Sequence, residues 1–138
     1  AIKFSRLKSI LINHFLIGEK QRKEIEDDFN LVFENLIPGK ILKGINLNYT
    51  TGKLSVLIKE TENNAEYDID FLSSGEKGLL LSFFITRRTL ASGGIVLFDE
   101  PELHLNPNVN KKIVPFFLSI LLIKMMFKLY YQHIHQKY

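Results

Sequence analysis

Two adjacent carboxylates, Asp99 and Glu100, close the run Gly94-Ile95-Val96-Leu97-Phe98 and are followed by Pro101. Ile95 to Phe98 is unbroken apolar sequence after a Gly-Gly turn signal, which predicts a strand buried in a parallel sheet. In such sheets ligands bind beyond the carboxyl ends of the strands, where Asp99 and Glu100 fall. One hard carboxylate there suits Mg²⁺ carrying substrate phosphates, and a second suits orientation of an attacking water. Upstream, Leu72-Ser73-Ser74-Gly75-Glu76-Lys77 opens an amphipathic stretch. A helix N-terminus preceded by Ser and Gly offers unused N–H donors and a positive dipole end to an anion. Each motif also has a plainer meaning. Pro101 suits the first position of a helix with an acidic start, and Ser73 or Ser74 suits an ordinary N-cap. Found together and in this order, the two motifs favour phosphate chemistry.

The elements that must position these groups follow from periodicity. Ile2, Leu7, Ile10, Leu11 and Phe15 fall near helical spacing over 1–17, and Gly18 marks a break. Ile25, Phe29, Val32, Phe33 and Leu36 form an i, i+4, i+7, i+8 stripe, predicting a second helix over 21–36 that Pro38-Gly39 ends. Its charged residues Lys20, Arg22, Lys23, Glu24, Glu26, Asp27 and Asp28 read as solvated surface. The period then changes. Gly44 to Tyr49, Lys53 to Glu60 and Glu66 to Asp70 alternate, with turns at Thr50-Thr51-Gly52 and Asn63-Asn64, predicting an antiparallel meander with one polar face. Tyr49 and Tyr67 read as packing residues rather than base-stacking platforms. A helix over 75–90 buries Leu79, Leu80, Phe83, Phe84 and Leu90, and Arg87 and Arg88 near its far end suit the negative dipole. Asn106-Pro107 reads as N-cap and first residue of a final helix through Ile113 to Leu122, which Pro115 should kink.

Composition sets wide bounds. The 138 residues are 46% hydrophobic and 24% charged, a single-domain size or part of a larger one, with enough apolar sequence for a core. A formal charge of +3 is too mild to argue nucleic-acid binding by itself. Without cysteine there is neither a disulfide nor a thiolate metal site, and a cytoplasmic location is the expectation. Lys3, Arg6 and Lys8 interrupt the apolar residues of 1–16, unlike a signal peptide. No membrane span is expected from 113–123, because a crossing needs ~20 predominantly apolar residues; extending the run takes in Lys124 and Lys128.

The LSSGEK sequence at 72–77, followed by an apolar strand and Asp99-Glu100-Pro101-Glu102-Leu103-His104-Leu105-Asn106-Pro107, resembles the signature and Walker B motifs of ABC-type ATPases. The nearest branch is the AAA-family ATP-binding group akin to OLD nucleases, RecF and the structural-maintenance-of-chromosomes proteins. The match covers about a quarter of the chain. The fold so implied is α/β, an α+β fragment holding the C-terminal part of an ATPase lobe. Within that partial domain, 1–40 is helical, 41–70 is the meander, 71–122 carries signature helix, Walker B strand and following helix, and 123–138 is a tail. By this resemblance Ser73, Ser74, Gly75 and Glu76 form the nucleotide-binding turn, in which Ser73 and the backbone N–H groups near Gly75 would meet the γ-phosphate of an ATP held mainly by another subunit. Asp99 would hold Mg²⁺, Glu100 would polarise the hydrolytic water as the catalytic carboxylate, and His104, Leu105 and Asn106 would form a D-loop crossing a dimer interface. The implied cofactors are ATP and Mg²⁺. The implied partner is a Walker-A-bearing lobe or second ATPase subunit, with DNA or a nuclease beyond it.

Two family parts are not in the sequence. A phosphate-cradling G-x-x-x-x-G-K-[ST] loop is absent: Gly52-Lys53 is followed by Leu54 and preceded at the first glycine position by Leu47, and Gly39-Lys40 by Ile41 and Glu34. The Ser-Thr-His-Ser-Pro switch expected after the next strand is absent too, and His133-x-His135 alone is weak evidence for a metal. The tail suggests a reason. Read one base out of frame, codons for Lys124 to Lys137 permit Asn-Asp-Val-Gln-Ile-Ile-Leu-Ser-Thr-His-Ser-Pro-Lys, a buried strand and that switch. The expectation is thus an ATPase part that is inactive alone. The alternatives are a non-catalytic interaction module derived from such an ATPase, and a structural or membrane-associated protein with an accidental motif.

Overall fold

A computed structural model describes residues 4–89 and 107–135, with side chains for 4–88 and 107–122. The chain is α+β. Among the described residues it has four α-helices, one 3-10 turn and a three-stranded antiparallel sheet in the order β1-β2-β3. It divides into two compact units, 1–81 and 82–138.

In the first unit, α1 (Phe4–Ile17) buries Leu7, Leu11 and Phe15, one residue per turn on a single face. Gly18 breaks the chain in extended backbone, and its carbonyl accepts from Arg22 N–H at 3.0 Å to start α2 (Glu19–Asn35). The expected stripe is the buried face: Ile25, Phe29, Val32, Phe33 and Leu36 are all at most 1% exposed. Phe29 and Phe33 meet with ring centroids 5.5 Å apart, and the guanidinium of Arg22 lies over Phe15 of α1 at 5.6 Å. The charged face differs from expectation at one position. Asp28 is buried, because it stands one turn from Ile25 and Val32 and shares their side of the helix.

Leu36 and Ile37 N–H both bond back to Val32 carbonyl, and Gly39, at φ 88°, turns the chain out of the helix. β1 (Lys40–Asn48) pairs antiparallel with β2 (Lys53–Glu60) from Lys40↔Glu60 to Asn48↔Lys53, with a bulge between Leu42 and Gly44. Asn48 makes their turn. Its carboxamide oxygen accepts from Thr50 and Thr51 N–H, both at 3.0 Å, and Gly52 takes φ 66°. Alternation along β2 buries Val56 and Ile58.

β3 is shorter than the expected strand over 66–70. It covers only Glu66–Asp68, because the Asp68 carboxylate accepts from Asp70 N–H at 2.9 Å and caps a 3-10 turn over Ile69–Phe71. Lys8 of α1 ties this corner down, with its ammonium 2.6 Å from carboxylate oxygens of both Asp68 and Asp70. The packing role expected of Tyr49 does not hold, since at 90% exposure it stands clear at the turn; Tyr67 is half-buried.

α3 (Ser74–Thr89) begins in the first unit, where Leu79 and Leu80 are buried. In the second unit it buries Phe83 and Phe84. Arg87 and Arg88 lie over those rings, one turn back, at 6.0 and 5.8 Å. α4 (Pro107–His135) starts on proline as expected but runs past Leu122, through Pro115 and on to His135. Leu, Lys and Met in 121–128 are good helix formers with no glycine or proline among them, so nothing local stops it. Ile113, Phe116, Phe117 and Ile120 are its buried face, and Phe116 meets Phe83 with centroids 6.0 Å apart. No helix among the described residues is long and apolar enough to cross a membrane.

Candidate functional site

The first turn of α3 is built by reciprocal capping. Ser73 Oγ accepts from Glu76 N–H at 3.3 Å, and Glu76 Oε2 accepts from Ser73 N–H at 2.8 Å. The Ser-x-x-Glu spacing makes this possible, because the residue three after the cap points back over it. Lys77 N–H donates to Ser73 carbonyl at 2.9 Å, the first bond of the helix proper. Two consequences matter for an anion. The Ser73 hydroxyl, used as an acceptor, keeps its own hydrogen for donation. Ser73 and Ser74 are exposed while Gly75 is buried, so the two serines carry the donors that the turn can offer to an anion.

A second layer lies behind the cap, and periodicity does not reveal it. Glu76 Oε1 is 3.6 Å from Lys40 Nζ at the start of β1. The same ammonium donates to Tyr67 Oη at 2.9 Å and to Glu60 Oε1 at 3.3 Å, and Tyr67 Oη donates to Glu60 Oε1 at 3.2 Å. Lys40 thus joins β1, β2, β3 and the start of α3 at one nitrogen. Burial alone would lower its pKa, but the Tyr67 hydroxyl and the carboxylates of Glu76 and Glu60 outweigh it and hold it well above the ordinary lysine range. The amide of Asn63 and the Lys40 ammonium hold the Glu60 carboxyl below its ordinary range. The one sequence signal for Lys40 is a lone cation beside the Pro-Gly turn, too common to single it out.

Compared with known families and curated proteins, the chain matches no family model and no curated protein.

Of the residues singled out in the sequence, Ser73, Ser74, Gly75 and Glu76 share the first turn of α3. Asp99, Glu100, His104, Leu105 and Asn106 lie outside the described residues, as do Leu90 and the strand over 95–98. Among the described residues no group of three or more His, Cys, Asp or Glu side chains could hold a metal ion. A surface cleft of about 400 Å³ along α2, lined by Glu19, Lys20, Lys23, Glu24 and Asp27, includes none of the motif residues. Phe71, two residues before the cap, is 79% exposed, and the ammonium of Lys77 lies over the ring of Phe4 at 5.6 Å.

Proposed function

We propose that this chain supplies the signature turn and Walker B carboxylates of an ABC-type ATPase of the AAA-family ATP-binding group. It would act on ATP·Mg²⁺ held by a Walker-A-bearing lobe or second subunit. The observation that carries the reading is the ordered pair of motifs: a helix start at 73–75 with Ser73 and Ser74 exposed and Gly75 buried behind them and, downstream, an apolar run ending in Asp99-Glu100. The capped turn supports it. Ser73 sits at the exposed end of a helix that buries Leu79 and Leu80 further along, so the residue can face a partner without disturbing the core.

In this reading the Ser73 hydroxyl and the Ser74 N–H would donate to γ-phosphate oxygens and hold the group in line while charge grows on the leaving oxygen of ADP. Glu100 orients the water that attacks the γ-phosphorus while the bond to the bridging oxygen breaks, giving ADP and phosphate. Mg²⁺, which Asp99 would help hold, supplies neutralisation of the phosphate oxygens. With its own phosphate-cradling loop missing from the sequence, the 138-residue chain completes a site rather than forming one.

The test is Mg·ATP-dependent pairing with a Walker-A-bearing lobe, followed by sedimentation and phosphate release. Glu100→Gln should pair normally while turnover falls by roughly 10²–10⁴-fold, the usual share of a positioned acid–base group. Ser73→Arg should abolish pairing, because a long cation would crowd the helix terminus. Normal hydrolysis by the Glu100→Gln pair, or ATP-dependent pairing of the Ser73→Arg chain, would count against the assignment.

A further inference from the structure

The reciprocal cap leaves one carboxylate, Glu76, directly behind the turn that the ATPase reading assigns to a γ-phosphate. A negative group there opposes an arriving anion, yet the same carboxylate is what fixes Ser73, through the 2.8 Å bond from Ser73 N–H to Oε2. Its other oxygen, Oε1, faces Lys40 Nζ at 3.6 Å, and both side chains are largely out of water at 15% and 24% exposure. Tyr67 and Glu60 also hold the same nitrogen, at 2.9 and 3.3 Å. The cation is therefore fixed in the sheet while the carboxylate it faces belongs to the helix start. Removing it would leave Glu60 and Glu76 facing each other across the vacated position, and their repulsion would draw Glu76 off the Ser73 amide.

We infer that Lys40 is a positioning residue for the anion-facing end of α3: it anchors Glu76, so that the cap on Ser73 stays formed, and cancels the charge that Glu76 would present to a phosphate. This rests on the ATPase reading for the identity of the phosphate, but not for the cap itself. Lys40 does not touch the nucleotide; it acts through Glu76. A neutral glutamine at 76 could still accept from Ser73 N–H and would need no counter-cation, so the role of Lys40 depends on the charge at 76.

The experiment compares Lys40→Met, Lys40→Arg, Glu76→Gln and the double variant Lys40→Met/Glu76→Gln in the 138-residue chain, with two readouts. The first is amide hydrogen exchange by NMR at Ser73, with Ile58 in β2 as a reference for general loosening of the sheet. The second is the ATP concentration needed to pair with a Walker-A-bearing lobe. Lys40→Met should speed Ser73 exchange relative to Ile58 by roughly two- to fivefold, the range that a partly exposed ion pair supports. It should raise the required ATP concentration by at least a similar factor. Lys40→Arg should restore both, and the double variant should behave like Glu76→Gln alone. Unchanged Ser73 exchange in Lys40→Met, equal acceleration at Ser73 and Ile58, or failure of Glu76→Gln to relieve the loss would each overturn the inference. Should Ser73 exchange follow the expected pattern while the wild-type chain never pairs with ATP, the cap-anchoring role stands and the ATPase reading fails instead. Pairing by the wild type with Ser73 exchange indifferent to Lys40 separates the two the other way.

Discussion

Substitution of Ser73 can separate its part in the helix from its part at a phosphate. In the fold, its side chain accepts one bond, from Glu76 N–H at 3.3 Å, just longer than the usual range and exposed to water. The reverse bond, Ser73 N–H to Glu76 Oε2 at 2.8 Å, uses the backbone and survives any side chain. Loss of a capping hydroxyl costs about 0.5–2 kcal/mol, and a long exposed bond with its reciprocal partner retained places Ser73→Ala in the lower half, about 0.5–1 kcal/mol. With a urea slope of about 2 kcal/mol per molar, the unfolding midpoint should fall by about 0.3–0.5 M. Ser73→Asp keeps a good cap and favours the positive end of the helix dipole, so its midpoint should stay closer to the wild type than that of Ser73→Ala. Yet aspartate places a carboxylate where the γ-phosphate is proposed to lie, so it should abolish ATP-dependent pairing. Urea unfolding followed by circular dichroism, with sedimentation of the mixed subunits, reads both. A wild-type midpoint in Ser73→Ala, or an aspartate variant that is as unstable as the alanine variant, would refute the capping argument. An aspartate variant that still pairs would refute the phosphate argument.

Three further outcomes are expected. Phe29→Ala, at a site with 0% exposure, should cost about 3–5 kcal/mol and leave the chain unfolded or nearly so by thermal scan. Burial pushes the Asp68 carboxyl up, but the Lys8 ammonium and the Asp70 N–H outweigh it and lower its pKa. Its stabilisation is therefore full above the ordinary aspartate value, about 3.9, and is lost as pH falls through the lower folded value. Lys8→Met should flatten the loss of Tm as pH falls below about 4, and an unchanged acid limb would exclude the pair as its cause. Mixed with Mg·ATP, the chain alone should give no micromolar heat of binding in calorimetry, since one helix terminus and a carboxylate pair replace a full phosphate cradle.

Different parts of the fold were legible to different degrees, for physical reasons. The α2 stripe was plain because five large apolar residues repeat at helical spacing, and all five are buried. The β1–β2 hairpin was plain because alternation and turn residues agree there. The end of β3 was not, because Asp68 offers its own carboxylate to the backbone and competes with the sheet, a choice that alternation cannot express. The inward turn of Asp28 was not legible, because a run of charges hides which member shares the apolar face. The S-x-x-E cap was readable from four residues, but its anchor was not, since Lys40 meets partners from two other strands and a helix that only the fold brings together.

The last expectation concerns the tail. As encoded, residues up to His135 continue α4, and before them Val114, Leu118 and Leu122 form an i, i+4, i+8 row that is 55%, 52% and 60% exposed. Leucine and valine repeating on the solvent side of a helix leave an apolar row without a packing partner in this unit. The out-of-frame reading supplies a candidate. Taking the third base of each codon with the first two of the next, Met125-Met126-Phe127 must yield Asp and then Val, and Tyr130-Tyr131 must yield Leu. Phe127-Lys128 must yield Gln or a stop, and Tyr131 through Gln136 permits Ser-Thr-His-Ser-Pro. The forced Val and Leu suit a buried strand entered through the forced Asp, whereas the encoded sequence sets Lys124 and Lys128 among apolar residues with no clean amphipathic pattern. A chain ending in the wrong frame would lack the strand expected beside Asp99, so the product should be weakly stable and prone to associate through its uncovered apolar surface. Restoring the frame by one base should raise soluble yield and Tm. Codons at 131–136 that cannot spell Ser-Thr-His-Ser-Pro in the shifted frame would end the argument.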